Sequence, residues 1–359
     1  MITGNKGEWS EIYVLLKLLG DKELQPGDGN IEKIQNVIYP IIRILRTESN
    51  NNFEYSIQDD IVLISGNEEV LRIPIQDFKE KSISLLNSIK TNSERTFSVP
   101  DIEKFMQSIN CISLKASSSS KTDITIVVHD QRTSQQPTLG FSIKSQLGNP
   151  STLLNAGKTT NFVYKIKDVS LTEKEITEIN SIDSKSKIKD RIEAITKKGG
   201  YFEFSNTEKQ IFSNNLVLID SSLPQITAEI IFHFFTSNDS KTIDLVSKIE
   251  EENPLNFDTS NEHQFYSYKI KRFLTDVALG MMPSKVWTGE YDATGGYLIV
   301  KEDGEILCYH IYNRNEFENY LINNTKLDTA SSSRHGFGEV YKENEEFYFK
   351  LNLQIRFIK

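Results

Sequence analysis

The run Lys121-Thr122-Asp123-Ile124-Thr125-Ile126-Val127-Val128-His129, followed by Leu139-Gly140-Phe141-Ser142-Ile143-Lys144-Ser145, decides how this chain reads. Both are short and rich in β-branched residues, and polar linkers around 116–120 and 131–138 bound them, as expected of strands and loops. Side chains alternate along a strand, so Ser142 and Lys144 share one face while Phe141 and Ile143 share the other. If the two strands are neighbours, Asp123 lies beside Ser142 and Lys144, with main-chain carbonyls between them. Hydrolysis of a phosphodiester uses such a set. A hard cation held by carboxylate and carbonyl oxygens neutralises the phosphate and acidifies an attacking water, and magnesium suits those ligands. A neighbouring lysine orients the water and stabilises the developing charge. The plainer reading is a surface strand pair with solvated Asp123 and Lys144, and the pattern alone favours it.

The flanking sequence predicts a mixed α and β chain. Trp9, Ile12, Leu16 and Leu19 recur at helical spacing over Glu8–Leu19, with Asn5 and Glu8 as a capping box and Gly20 as the stop. Ile31–Thr47 reads as a helix interrupted near Pro40. Asp60–Ser65 and Glu69–Ile75 read as strands about a Gly66-Asn67 turn, and Lys79–Asn92 as a helix. In the centre, Cys111–Lys115 and Asn161–Ile166 join the two runs above as strands. Leu171–Lys197, Pro224–Phe235, Thr242–Glu252 and His263–Leu279 read as helical. Gly296–Lys301 and Glu305–Tyr312 form a hairpin about Asp303-Gly304, and Phe347–Phe357 closes the chain as one strand. Three consecutive stretches follow: 1–105 with the first helix and an α/β insertion, 106–235 as a catalytic core, and 236–359 as a helical and β region for recognition.

Composition narrows the class. The chain has 359 residues, a net charge of −9 and two cysteines, Cys111 and Cys308, too few for a disulfide framework or a zinc cage. No apolar run reaches the ~18 residues of a membrane span. The first residues lack an apolar signal core, which predicts a cytoplasmic protein. His129, His233, His263 and His310 are scattered without zinc-binding spacing, and no GxSxG or nucleotide-binding glycine pattern occurs. The negative charge argues mildly against nucleic acid, yet residues 111–170 carry seven Lys and Arg against three Asp.

The Asp123 and Ser142-Ile143-Lys144 arrangement resembles the PD-(D/E)XK nuclease superfamily. Thr122 replaces the proline, and Ser142 stands where the second acid is expected, which weakens a metal ligand. The superfamily often supplies another carboxylate from the first helix. Glu11 is the natural candidate, and the sequence leaves Glu8 open beside it. Longer segments, among them 7–13 (GEWSEIY), 140–148 (GFSIKSQLG), 294–297 (TGGY), 333–338 (SRHGFG) and 351–357 (LNLQIRF), are similar to the HpaII family of type II restriction endonucleases. That resemblance spans the chain. It implies an αβββαβ core with helical and hairpin additions, with Asp123, Glu11 and the Ile143 carbonyl holding Mg2+. Lys144 would orient water, and Ser142 would occupy the acid's place. It further implies cleavage of double-stranded DNA at CCGG and a cytosine methyltransferase as functional partner. A palindromic target invites a homodimer.

DNA-reading candidates follow. Asn352, Gln354 and Arg356 would form an outward row if 347–357 were one strand, and these residue types suit base edges; a polar solvent face is the plainer reading. Arg334 and His335 sit in a small-residue loop with Gly336. Gln146 and Asn149 follow the catalytic strand, and Lys121, Lys158 and Thr159 are candidate contacts. Two rivals stand beside the restriction enzyme: a DNA-binding protein that kept the nuclease fold without its chemistry, and a structure-specific repair nuclease.

Overall fold

The helical spacing of Trp9, Ile12, Leu16 and Leu19 produces α1, Lys6–Asp21, in the computed structural model, which describes residues 1–49, 51–66, 70–116, 122–131 and 133–358. The strands, in chain order, are β1 (Glu23–Pro26), β2 (Tyr39–Glu48), β3 (Asn51–Gln58), β4 (Ile61–Ser65), β5 (Leu71–Pro74), β6 (Ile124–Val128), β7 (Thr138–Ser145), β8 (Thr152–Leu154), β9 (Asn161–Lys167), β10 (Tyr201–Thr207), β11 (Gly296–Val300), β12 (Ile306–His310), β13 (Thr325–Leu327), β14 (Val340–Glu343), β15 (Glu346–Asn352) and β16 (Ile355–Phe357). The helices after α1 that matter below are α2 (Ile75–Thr91) and α3 (Pro100–Ser108). The chain is mixed α/β, as expected. Among the described residues no helix is long and apolar enough to cross a membrane.

Two compact units divide the chain: Met1–Ser151 with Tyr291–Tyr320, and Thr152–Glu290 with Leu321–Ile358. The boundaries expected after residues 105 and 235 therefore fall inside a unit rather than between units.

The first unit is built on a nine-stranded sheet in the order β1-β12-β11-β7-β6-β2-β3-β4-β5. Strands β2, β6 and β7 form an antiparallel meander, and β11 runs parallel to β7. The resemblance implies an αβββαβ core, and the strands beside α1 are not those expected to build it. Cys111–Lys115 is not a strand, and β9 belongs to the other unit. The missing member is β2, from the stretch read as helical. Its residues Ile41, Ile44 and Arg46 are buried while their neighbours are less so. Pro40 stands where β2 begins, and the antiparallel pairing with β6 decides for strand over helix.

Helix α1 is buried almost all round, from Trp9 to Gly20. Such a helix needs cover on both sides, and its apolar residues share one core with Ile44, Ile126, Phe141 and Leu298 of the sheet and Phe78 and Leu85 of α2. Gly20 does not stop the helix, which ends at Lys22 in the left-handed region, φ 67°. Gly20 marks the approach to α2 instead: a Cβ there would stand 2.9 Å from Lys79 Cγ.

The second unit holds a four-stranded antiparallel sheet, β10-β9-β15-β14, and a three-stranded one, β13-β16-β8. Aromatic rings of Phe162, Tyr164, Phe204 and Phe212 pack together in it. The terminal stretch is two strands in two sheets, interrupted at Leu353-Gln354, and not one strand.

Strand β11 reaches β7 through two glycines. Gly295 N–H donates to Gly140 O at 2.8 Å, and a Cβ on Gly295 would stand 2.8 Å from the Phe141 ring. Gly296 has φ +99°, and its Cβ would fall 2.0 Å from Tyr309 O. Gly296→Ala combines overpacking with a backbone conformation that disfavours a side chain, and should cost roughly 1–3 kcal/mol. A lowered urea midpoint is the expected result; an unchanged one would show that β11 does not depend on this approach.

Candidate active site

Strand β6 begins at Ile124 while β7 continues to Ser145, so among the described residues no strand pairs with this edge of β7 beyond Phe141. Asp123 N–H still donates to Phe141 O at 2.8 Å, one position out of the β6–β7 register. The Asp123 carboxylate then takes over as acceptor. Its Oδ2 receives the Ile143 N–H at 2.7 Å and the Ser142 hydroxyl at 3.0 Å. Lys144 Nζ donates to the same Ser142 hydroxyl oxygen at 3.0 Å. The expected neighbours are thus one hydrogen-bonded chain, Lys144 to Ser142 to Asp123. N–H and C=O of one residue leave an extended strand on the same edge, so the Ile143 carbonyl opens toward Asp123 as well. Thr122, in the proline's place, donates its hydroxyl to Asp292 O at 2.9 Å, anchoring the turn before Asp123.

Helix α1 brings the second carboxylate. The Ser10 hydroxyl lies 2.8 Å from the Ser145 hydroxyl, tying the first turns of α1 to the end of β7. Glu8 is committed: its Oε2 accepts the Asn5 N–H at 2.9 Å in a capping box, and Oε1 lies 3.5 Å from Lys115 Nζ. Glu11, one turn further, lines a cleft with Ile143 and is near enough to Asp123 to feel its charge. Burial, and then the Asp123 charge, push its carboxyl up to about 8 against the lowering influence of Lys115 and Arg46. Burial pulls the Lys144 ammonium down, opposed by Asp123 and Glu11. These three charges therefore sense one another. Among the described residues no group of three or more His, Cys, Asp or Glu is placed to hold a metal ion. Two carboxylates with a main-chain carbonyl remain, an all-oxygen set that fits magnesium, which retains several waters.

Residues 5–357 match the HpaII restriction endonuclease family. The type II restriction enzyme HpaII of Haemophilus parainfluenzae is 52% identical over 359 residues, covering 99% of each chain. The chain belongs to the HpaII restriction endonuclease family. No solved structure matches it.

For this HpaII-family chain, the sequence reading missed Tyr297. In the parallel register of β7 and β11 it stands opposite Ser142, and Lys144 Nζ sits 5.0 Å from its ring centroid. Tyr297 is 2% exposed and packs edge-on to Phe317. The segment 294–297 carried part of the family resemblance, but only the long-range pairing shows what the ring faces. Arg46 was missed too. Buried, it bonds Glu48 Oε1 at 2.6 Å and the Ser113 carbonyl, holding the segment once expected to be a strand.

The remaining candidates divide between the units. Gln146 donates its N–H to Val300 O at 2.8 Å, and Asn149 is exposed beyond β7. Lys121 lies outside the described residues. In the second unit, Asn161 Nδ2 donates to His335 O at 2.9 Å, and Asn352 Nδ2 donates to Gly157 O at 2.8 Å and Asn161 Oδ1 at 2.7 Å. These bonds gather Lys158, Thr159, Arg334 and His335 around one loop junction, where a Cβ on Gly336 would meet Lys158 Cε at 4.0 Å. The outward row is corrected: Asn352 is 2% exposed and Gln354 8%, because the strand breaks between them. Asn352 joins the loops from inside. Arg356 Nε lies 2.7 Å from Asp328 Oδ2.

Glu8 is engaged in the helix cap, whereas Glu11 shares a cleft wall with Ile143. Glu11→Gln should lower magnesium-dependent turnover at least tenfold more than Glu8→Gln. Steady-state cleavage of a short duplex by the two variants checks the ranking, and the reverse order would move the third oxygen ligand to Glu8.

Proposed function

We propose that this chain is a magnesium-dependent type II restriction endonuclease acting on double-stranded DNA in the cytoplasm, with CCGG as the target that family membership implies. The observation that carries the reading is the Lys144–Ser142–Asp123 chain with Glu11 beside it, in a member of this family. The order of α1, β2, β6, β7 and β11 supports the PD-(D/E)XK superfamily as its fold.

In this reading Asp123, Glu11 and the Ile143 carbonyl hold the cation. Magnesium bound there would neutralise charge on the scissile phosphate and acidify an attacking water. Ser142 keeps the acid's place but not its charge: it joins the Asp123 carboxylate to Lys144 through one hydroxyl. Lys144 is thereby held over the Tyr297 ring, and its N–H groups orient water and stabilise charge developing on the phosphate. Displacement at phosphorus would leave a 5′-phosphate and a 3′-hydroxyl. Lys158, Thr159, Arg334 and His335 in the second unit supply DNA contacts, and so do Gln146 and Asn149, which follow β7 in the first. Arg356 joins them if DNA displaces its pairing with Asp328. Asn352 and Gln354 support this surface from within. A symmetric target suits a homodimer, and a cytosine methyltransferase would protect the host's own sites.

Digestion of unmethylated phage DNA with magnesium or with a chelator, followed by sequencing of the ends, tests the reading. Discrete magnesium-dependent fragments ending within CCGG are expected, and Lys144→Ala should give none while still binding the site. Discrete fragments sharing another sequence would discard CCGG and keep the nuclease. Tight binding without cutting would make Ser142 the mark of an inactive site.

Glu11 adds a pH dependence. With its carboxyl pushed up to about 8, the metal-free protein carries this proton at neutral pH, and a cation needs the carboxylate. Magnesium binding should therefore release a proton below about pH 8, and the half-saturating magnesium concentration should fall as pH rises toward that value. Calorimetry at pH 7 in buffers of different ionisation enthalpy measures the release. Equal heats in all buffers, or the same release from Glu11→Gln, would remove Glu11 from the site.

A further inference from the structure

Two clefts flank Asp123 and Glu11 in the first unit, and they differ in charge. One, about 760 Å3, is lined by Thr47, Asn52, Thr122, Asp123 and Asp292, and its one described cation, Arg46, is buried and bonded to Glu48. The other, about 690 Å3, has Glu11 and Ile143 in its wall together with Lys6, Arg95, Lys115 and Asn149. Lys115 pairs with Glu8 at 3.5 Å. Neither Lys6 nor Arg95 forms an ion pair with a described residue, and Arg95 and Asn149 are exposed. A Cβ on Gly148 would stand 3.3 Å from Lys6 Cβ, so this glycine lets the first turn of α1 close on the exit of β7. Lys6 is thereby set beside the same wall as Glu11. The exposed Glu94 is the opposing charge on the rim.

We infer that this second cleft seats a phosphate adjoining the scissile one on the cut strand, gripped by Lys6 and Arg95. The inference rests on the nuclease reading above. A strand whose scissile phosphate lies at Asp123 and Glu11 must continue past one of the two flanking depressions. The Thr-lined cleft offers carboxylates and, among the described residues, no accessible cation. The cleft with Lys6 and Arg95 offers two cations with nothing to give up. An ammonium and a guanidinium on a phosphate oxygen make charge-assisted hydrogen bonds, and each phosphate so neutralised releases counterions.

The test measures binding of a CCGG duplex with calcium in place of magnesium, so that the DNA stays intact. The phosphates on either side of the cut position, as located by end sequencing, are replaced one at a time by neutral methylphosphonates. In the wild type, one of these replacements should weaken binding roughly tenfold. Lys6→Ala and Arg95→Ala should each weaken binding of the unmodified duplex several-fold and lower the slope of log affinity against log salt by about one. The double variant should no longer respond to that methylphosphonate. Variants with wild-type affinity and slope, or a double variant that still responds fully, would overturn the subsite while leaving the nuclease standing. A wild type that binds neither the CCGG duplex nor a scrambled one would instead overturn the nuclease reading on which the subsite rests.

Discussion

Everything proposed for the site depends on one carboxylate oxygen replacing a strand. Before the start of β6, the Ile143 N–H would face an empty edge, and an unsatisfied amide in a partly buried place costs about 1–3 kcal/mol. Asp123 Oδ2 accepts it, and accepts the Ser142 hydroxyl as well. The side chain thus fastens itself to the neighbouring strand by main-chain geometry, without help from a rotamer choice elsewhere. That fixes the carboxylate, directs the Ile143 carbonyl to the same edge and leaves Ser142 with lone pairs for Lys144. A rigid first ligand, a carbonyl and an ammonium all follow from a ladder that stops one residue early.

The neutral residue in the acid's place has an electrostatic consequence. A second carboxylate at position 142 would bring like charge against Asp123 and Glu11, and burial already pushes Glu11 up. Ser142 avoids that repulsion and still offers oxygen. In the proposed site the charge absent from β7 would come from Glu11 on α1, and the hydrogen bond between Ser10 and Ser145 ties the first turns of that helix to the end of β7.

The sequence showed the local part of this arrangement. Alternation in β7, the Asp123 position and the capping box of α1 are properties of short segments, and each lies where the residues predict. The rest depends on distant partners. Strand β2 was hidden because Val37, Ile38, Ile41, Ile42 and Leu45 satisfy helical and extended spacing alike, and only packing on β6 decides. Tyr297 is some 150 positions from Ser142, and nothing in either segment announces a parallel pairing. In the terminal stretch the alternation of Asn352, Gln354 and Arg356 is real in sequence. It does not survive the break at Leu353-Gln354: Leu353 makes a last in-register bond from its N–H to Thr160 O, and β16 then pairs with β13 and β8 in a different sheet. Period-two patterns state which residues share a face only as long as the strand persists.

Burial acts in opposite senses on the two charge types, and the site uses both. It drives Glu11 toward its protonated form and Lys144 toward its neutral one. The metal-free cluster therefore lowers its own charge, so the fold need not hold a bare ion cluster against a core containing Trp9, Ile12 and Phe141. A divalent cation reverses the balance for Glu11 by favouring its carboxylate. In that view the active charge state belongs to the loaded protein, and the apolar surroundings that make α1 a core helix also make the site responsive to the ion it would bind.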